Sequence, residues 1–111
     1  MIAFCVRMEC TQHAEVLPVL QIWAPKALYP RDPPARVFLG LTFCRRCAHD
    51  TTVATLVPPG DWFPLLAEFR RQRGGQRPDF STTTIDWIPL ESAEALAFIA
   101  TIPAPVKGIV H

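Results

Sequence analysis

The sequence has no long hydrophobic run. No stretch approaches 18 consecutive apolar residues, the length a membrane-spanning helix needs, so no span is expected. The opening MIAFCVRMEC has no basic segment ahead of a long apolar core, so no export signal is read there and a cytoplasmic location is the default. An excess of one charge is also missing. Eleven Lys and Arg stand against ten Asp and Glu, a formal net charge of +1 at pH 7. That balance denies the chain the global positive field that drives non-specific nucleic-acid binding. There is no tandem repeat, no serine–histidine–acid order, no phosphate-binding glycine loop and no paired-carboxylate motif. Without an acid–base or nucleophilic constellation, the chain is expected not to be an enzyme.

What is present points to a core-forming domain. A chain of 111 residues is one domain by prior, and half of it is hydrophobic. That apolar share leads us to expect surface covered by another protein or by a second copy in a homodimer. Nine of the eleven cations are arginine, the residue suited to bidentate contacts. The twelve prolines are scattered and mark breaks.

The pattern of elements predicts an α+β fold, a small antiparallel sheet with two to three helices. Residues 1–8 read as a first strand or strand edge, and 14–24, with Val16, Val19, Ile22 and Trp23, as a strand that Pro18 should confine to an edge or bulge. Four prolines make 25–34 a loop, and 35–43 a returning strand. A short helix is expected in 48–57, stopped by Pro-Pro-Gly at 58–60. The stronger helix is 61–72, with Asp61 as N-cap and Gly74-Gly75 as its stop. Its stripe is Phe63, Leu66, Ala67 and Arg70, with Leu65 and Phe69 close by. A strand at 81–90 and a helix at 91–102 follow, ended by Pro103 and Pro105, with a loose tail or edge strand after them. The single domain 1–111 then has a zinc-binding half, about 1–57, and a helix–strand–helix half, about 60–103.

Four cysteines carry the chemical signal: Cys5 and Cys10, then Cys44 and Cys47 after a gap long enough for a hairpin. Zinc prefers four tetrahedral thiolate or imidazole ligands, and two from each of two chain segments is the usual supply. In a reducing compartment such cysteines are ligands or thiols and not disulfides. Two substitutions in the ligand set stay open: His13, two residues beyond Cys10, for Cys5, and His49 for Cys47. Four buried reduced cysteines are the plainer reading, and Cys5 in IAFCVRM suits it best. A redox dithiol at Cys44-Arg45-Arg46-Cys47 lacks the βαβ pattern it needs.

The order pair, strand, loop, strand, pair, helix over residues 4–56 resembles the treble-clef group of zinc fingers, and more loosely the zinc ribbons. The first pair is spaced by four residues instead of two, with no glycine after Cys10. The resemblance implies one structural zinc, held by Cys5 and Cys10 on a knuckle and by Cys44 and Cys47 at the start of a helix.

Arginines supply the candidate surfaces. Arg45 and Arg46, with Arg7, would offset the charge of about −2 on a zinc tetrathiolate, or would contact phosphate or an acidic partner. Arg70, Arg71, Arg73 and Arg77 surround the Gly74-Gly75 break. They suit a helix C-terminus, or a mobile loop gripping an acidic protein surface or a nucleic-acid backbone. Asp32, Asp50, Asp61, Asp79 and Asp86 read mostly as solvated or capping, and Trp23, Trp62 and Trp87 as core or interface anchors. The expected function is a non-enzymatic protein-binding module stabilised by zinc. Its size suits an inhibitor or adaptor encoded by a phage or mobile element, for instance one acting on a host defence complex. The alternative is a zinc protein that binds nucleic acid through the arginines.

Overall fold

The computed structural model describes residues 4–7, 9–57 and 62–101. Its fold is α+β. Three antiparallel strands form one sheet, with β1 (Val16–Trp23) between β2 (Ala35–Phe38) and β3 (Asp79–Pro89). Among the described residues four helices accompany it: α1 (Arg45–His49), α2 (Val53–Leu56), α3 (Trp62–Arg73) and α4 (Ala93–Thr101). The single helix expected in 48–57 is two short turns. Thr51 turns its hydroxyl back onto the Cys47 carbonyl, and Thr52 caps α2 through the Thr55 amide. Such side-chain bonds compete with helix continuation and favour caps. The expected strand at 1–8 is only an isolated bridge, Phe4 with His13, within its described part. The Asp61 cap, the 58–60 stop and everything beyond Thr101 lie outside the described residues. Among those residues no helix is long and apolar enough to cross a membrane.

Pro18 does not put β1 at an edge. The strand is central, and the geometry shows how it tolerates the proline. Backbone N–H and C=O of one strand residue point to the same side. The Pro18 carbonyl accepts from the Leu39 amide at 3.3 Å, so its donorless nitrogen faces the β2 side, just past the end of β2 at Phe38. There the second strand arches away. Val16 is bridged to Phe43 and not to Leu41, where an unbroken register from the Val19–Phe38 pair would put it. The ladder to β3 runs unbroken from Val16–Pro89 to Gln21–Thr84, and its irregularity lies at Gln21–Trp23, away from the proline.

Being central, β1 is covered on both faces, and its apolar residues divide by parity. Leu20 and Ile22 join Leu65 and Phe69 of α3 in one cluster. Leu17 and Val19 join Ile88 and Ala95 of α4 in another. Each of these Val, Leu, Ile and Phe side chains contributes about 1.5–3 kcal/mol when fully buried. The buried stripe of α3 is therefore Leu65 and Phe69, with Trp62 packed on Phe80 at 4.5 Å. The stripe expected from the sequence points outward: Phe63, Ala67 and Arg70 are exposed and Leu66 is half-buried.

Two polar devices fix the helices to the sheet. Gln72 of α3 pairs its amide with the Arg36 backbone, accepting from N–H at 3.0 Å and donating to C=O at 2.8 Å, which occupies part of the open edge of β2. Arg36 itself reaches Asp86 on β3 at 3.0 Å and Glu94 on α4 at 2.8 Å. Asp86, partly exposed, is thus an ion-pair partner. Ser92, through the Ala95 amide, opens α4, and Phe98 stacks on Phe38 at 5.0 Å.

Candidate metal centre

The two cysteine pairs come from differently built arms. Cys44 is the N-cap of α1, in extended backbone at φ −73° and ψ 160°. Its sulfur accepts from the Cys47 amide at 3.4 Å, which places Cys47 one turn on and on the same side. The first pair sits on a tight loop closed by the Phe4–His13 bridge, with the Cys5 amide donating to the Gln12 carbonyl and the Cys10 amide to that of Arg7. Two bonds dock this loop beside the second arm. The Val6 amide donates to the Thr42 carbonyl, and the Thr42 hydroxyl to the Phe4 carbonyl, each at 2.8 Å. The Val16–Phe43 bridge ties both arms to β1.

The four sulfurs converge. All lie within 4.8 Å of one another, and Cys10 and Cys44 are 3.7 Å apart. With Zn–S at about 2.3 Å, the edge of a tetrahedron of thiolates is about 3.8 Å. The thiols need only small shifts to reach that geometry. Cys5 and Cys44 are buried beside Val16, Phe43 and Ala48, with Trp87 against them; Cys10 and Cys47 are half-buried. The arrangement can hold a metal ion. His13 sets its ring edge-on to Phe4 at 5.2 Å, and His49 is exposed at the end of α1; neither belongs to the group of four.

The thiols perturb one another's acidity. Burial pushes the Cys5 thiol up, but the Cys44 and Arg7 amides and the Cys47 and Cys10 thiols donate to it, and it falls to about 7. Hydrogen bonding to Cys44, then burial and its other neighbours, push Cys47 up to about 12. For Cys10, the Gln12 backbone acts to lower the thiol, yet burial and the Cys44 and Cys5 sulfurs leave it raised. One thiolate is stabilised by its protonated neighbours. Several together need a positive ion among them.

The arginines divide into separate places. Arg45 pairs with Glu15 at 3.3 Å. Arg46 lines, with Arg7, a groove of about 850 Å³ that also exposes Cys10 and Cys47. Arg71 is held by Glu68, one turn back on α3, at 3.0 Å. Arg73 turns inward and donates to the Pro34 carbonyl at 3.0 Å. Arg70 and Arg77 line a cleft at the C-terminal end of α3. The structural role of Arg36 had no signal in the sequence, because its partners lie 50 and 58 residues away. No protein-family model matches this chain, and searches of curated proteins and of solved structures likewise return no match.

Proposed function

We propose that this chain is a non-catalytic protein-binding module whose cysteine arms are held by one structural zinc ion, in the manner of a treble clef. The observation that carries the reading is the convergence of four thiols from two arms within 4.8 Å. Soft thiolates in a tetrahedral set suit zinc, and four of them leave no ligand position for substrate. The second pair at the start of a helix, after two antiparallel strands, supports the treble-clef comparison. Near-neutral charge and exposed apolar side chains such as Phe63 and Leu96 favour a protein partner over nucleic acid. An inhibitor or adaptor, of the kind that phages and other mobile elements encode, fits a module of this size.

The test is metal analysis with native mass on protein purified without chelator, followed by titration with a single-stranded oligonucleotide at about 150 mM salt. One zinc per chain and weak, salt-sensitive oligonucleotide binding are expected. A folded, metal-free chain overturns the zinc. Tight oligonucleotide binding lost on Arg7→Glu with Arg46→Glu overturns the choice of partner.

A further inference from the structure

We propose that the outer stripe of α3, Phe63, Leu66 and Arg70, together with Arg77, is a docking site for a partner segment that carries carboxylates beside apolar side chains. This rests on the protein-binding reading above and gives it a place and a chemistry.

Phe63 is 78 % exposed, the largest value among the exposed large hydrophobics. It shares one face of α3 with Leu66 and Arg70, at spacings of three and four residues. That stripe leads into a cleft of about 280 Å³, where Arg70 and Arg77 stand at the rim and Leu66, Pro78 and Phe80 supply apolar wall. The volume suits one or two side chains and is below the usual range for whole small-molecule ligands. The charges at the rim are available. Neither Arg70 nor Arg77 has an ion-pair partner among the described residues, whereas Arg71 is taken by Glu68 and Arg73 by the Pro34 carbonyl.

The loop is also shaped, not slack. Gly74 adopts φ +66°, a conformation glycine reaches without steric cost, and its amide donates to the Arg70 carbonyl at 2.8 Å. Gln76 then donates to Asp32 at 2.6 Å, and Pro78 fixes the entry to β3. Arg77 lies between those two anchors. With its backbone fixed at both sides, Arg77 loses less entropy on binding a carboxylate than it would from a slack loop. An acidic peptide suits the site better than nucleic acid. Two cations neutralise at most two phosphates, and a single-strand site needs a succession of stacking rings along its basic track. The cleft between these arginines offers one ring, Phe80, beside Leu66 and Pro78, which is no such succession.

The experiment uses the zinc-loaded full chain, labelled with ¹⁵N and titrated with a peptide of alternating leucine and glutamate about a dozen residues long. A leucine–glutamine peptide, a polyglutamate of the same length and an oligodeoxythymidylate of about twenty nucleotides serve as comparators. Only the leucine–glutamate peptide should shift the amides of Phe63, Leu66, Arg70 and Arg77. Arg70→Glu with Arg77→Glu, and separately Phe63→Ser, should each weaken it at least about tenfold. These side chains are exposed, so zinc content and melting temperature should hold. Equal binding of the glutamine peptide, or of polyglutamate, overturns the proposal. So does a homodimer by native mass that Phe63→Ser dissolves. Peptide binding confined to the Arg7–Arg46 groove overturns this site and leaves a protein-binding module. Oligonucleotide binding at this stripe without any peptide binding overturns both.

Discussion

Replacing Cys44 by serine separates two duties of one side chain. Cys44 is a candidate metal ligand and also the N-cap of α1, where its sulfur accepts from the Cys47 amide. Serine is a strong N-cap, so Cys44→Ser keeps the capping duty and removes the thiolate. If capping and packing were all that mattered, the cost would be about 1–2 kcal/mol for a small polar change in a buried place. A structural zinc changes the scale. Zinc-finger sites bind their metal with about 10–16 kcal/mol of apparent free energy, comparable to the whole stability of a small domain at about 5–15 kcal/mol. Even a modest excess of free zinc, about 1,000 times the dissociation constant, stabilises the folded chain by about 4 kcal/mol. At about 4 °C per kcal/mol for a chain of this size, that is a shift of about 15 °C. Calorimetry with and without chelator, together with metal analysis, is the assay. Wild-type protein should fall by about 15 °C when chelator is added and then melt about 4–8 °C above the variant, the gap being the serine's own cost, and the variant should be metal-free and indifferent to chelator. A wild-type melt that chelator does not move, or a variant that keeps its zinc, refutes the reasoning.

Three further outcomes are expected. His13→Ala and His49→Ala should each retain one zinc, with affinity within about twofold of wild type by competition with a chromophoric chelator, because neither ring lies in the cysteine group. Zinc binding should release at least two protons at pH 7, read from calorimetry in buffers of different ionisation heat. Cys10 and Cys47 are raised in the metal-free chain, so both are protonated at neutral pH and must lose a proton to bind; affinity therefore rises with pH and falls with acid. Arg36→Ala should cost about 1–2 kcal/mol, discounted for partial exposure, and should speed amide exchange in α4, whose Glu94 loses its partner. Unchanged exchange in α4 would show that the Ala95 and Phe98 packing suffices.

The sequence made some features legible because they depend on local chemistry. Gly74 ends α3 within a residue of where its glycine places the stop, and the four cysteines converge across the hairpin that their spacing implies. Other features depend on partners far along the chain. The face of α3 was ambiguous because Phe63 and Leu66 are as apolar as Leu65 and Phe69; only the position of β1 decides which pair is buried. Pro18 argued for an edge strand, and the argument failed because the cost of a proline falls on one side only. Here that side meets the arch at residues 39–42 instead of a ladder. Asp86 looked solvated because Arg36 meets it from across the central strand.

The same central strand sets how the cysteine site and the outer stripe of α3 relate. Val16 belongs to the cluster around the cysteines, and Leu20 and Ile22 belong to the cluster that carries α3. Leu56 of α2 packs against both. The cysteine arms are thus continuous with the core on which the outer stripe of α3 is mounted, but none of the four cysteines lies in the α3 cluster. Removal of zinc should loosen the loop around Cys5 and Cys10 first, because its described ties are the Phe4–His13 bridge, a few hydrogen bonds to Thr42 and within the loop, and the packing of Cys5. The α3 side is held by Phe69, fully buried, and by the Gln72 clamp on β2. Amide exchange on chelated protein should therefore open residues 4–13 well before Leu65–Arg73, with the Val16–Phe43 bridge as the boundary. Simultaneous opening of both regions would mean that the zinc holds the whole sheet and not only its cysteine arms.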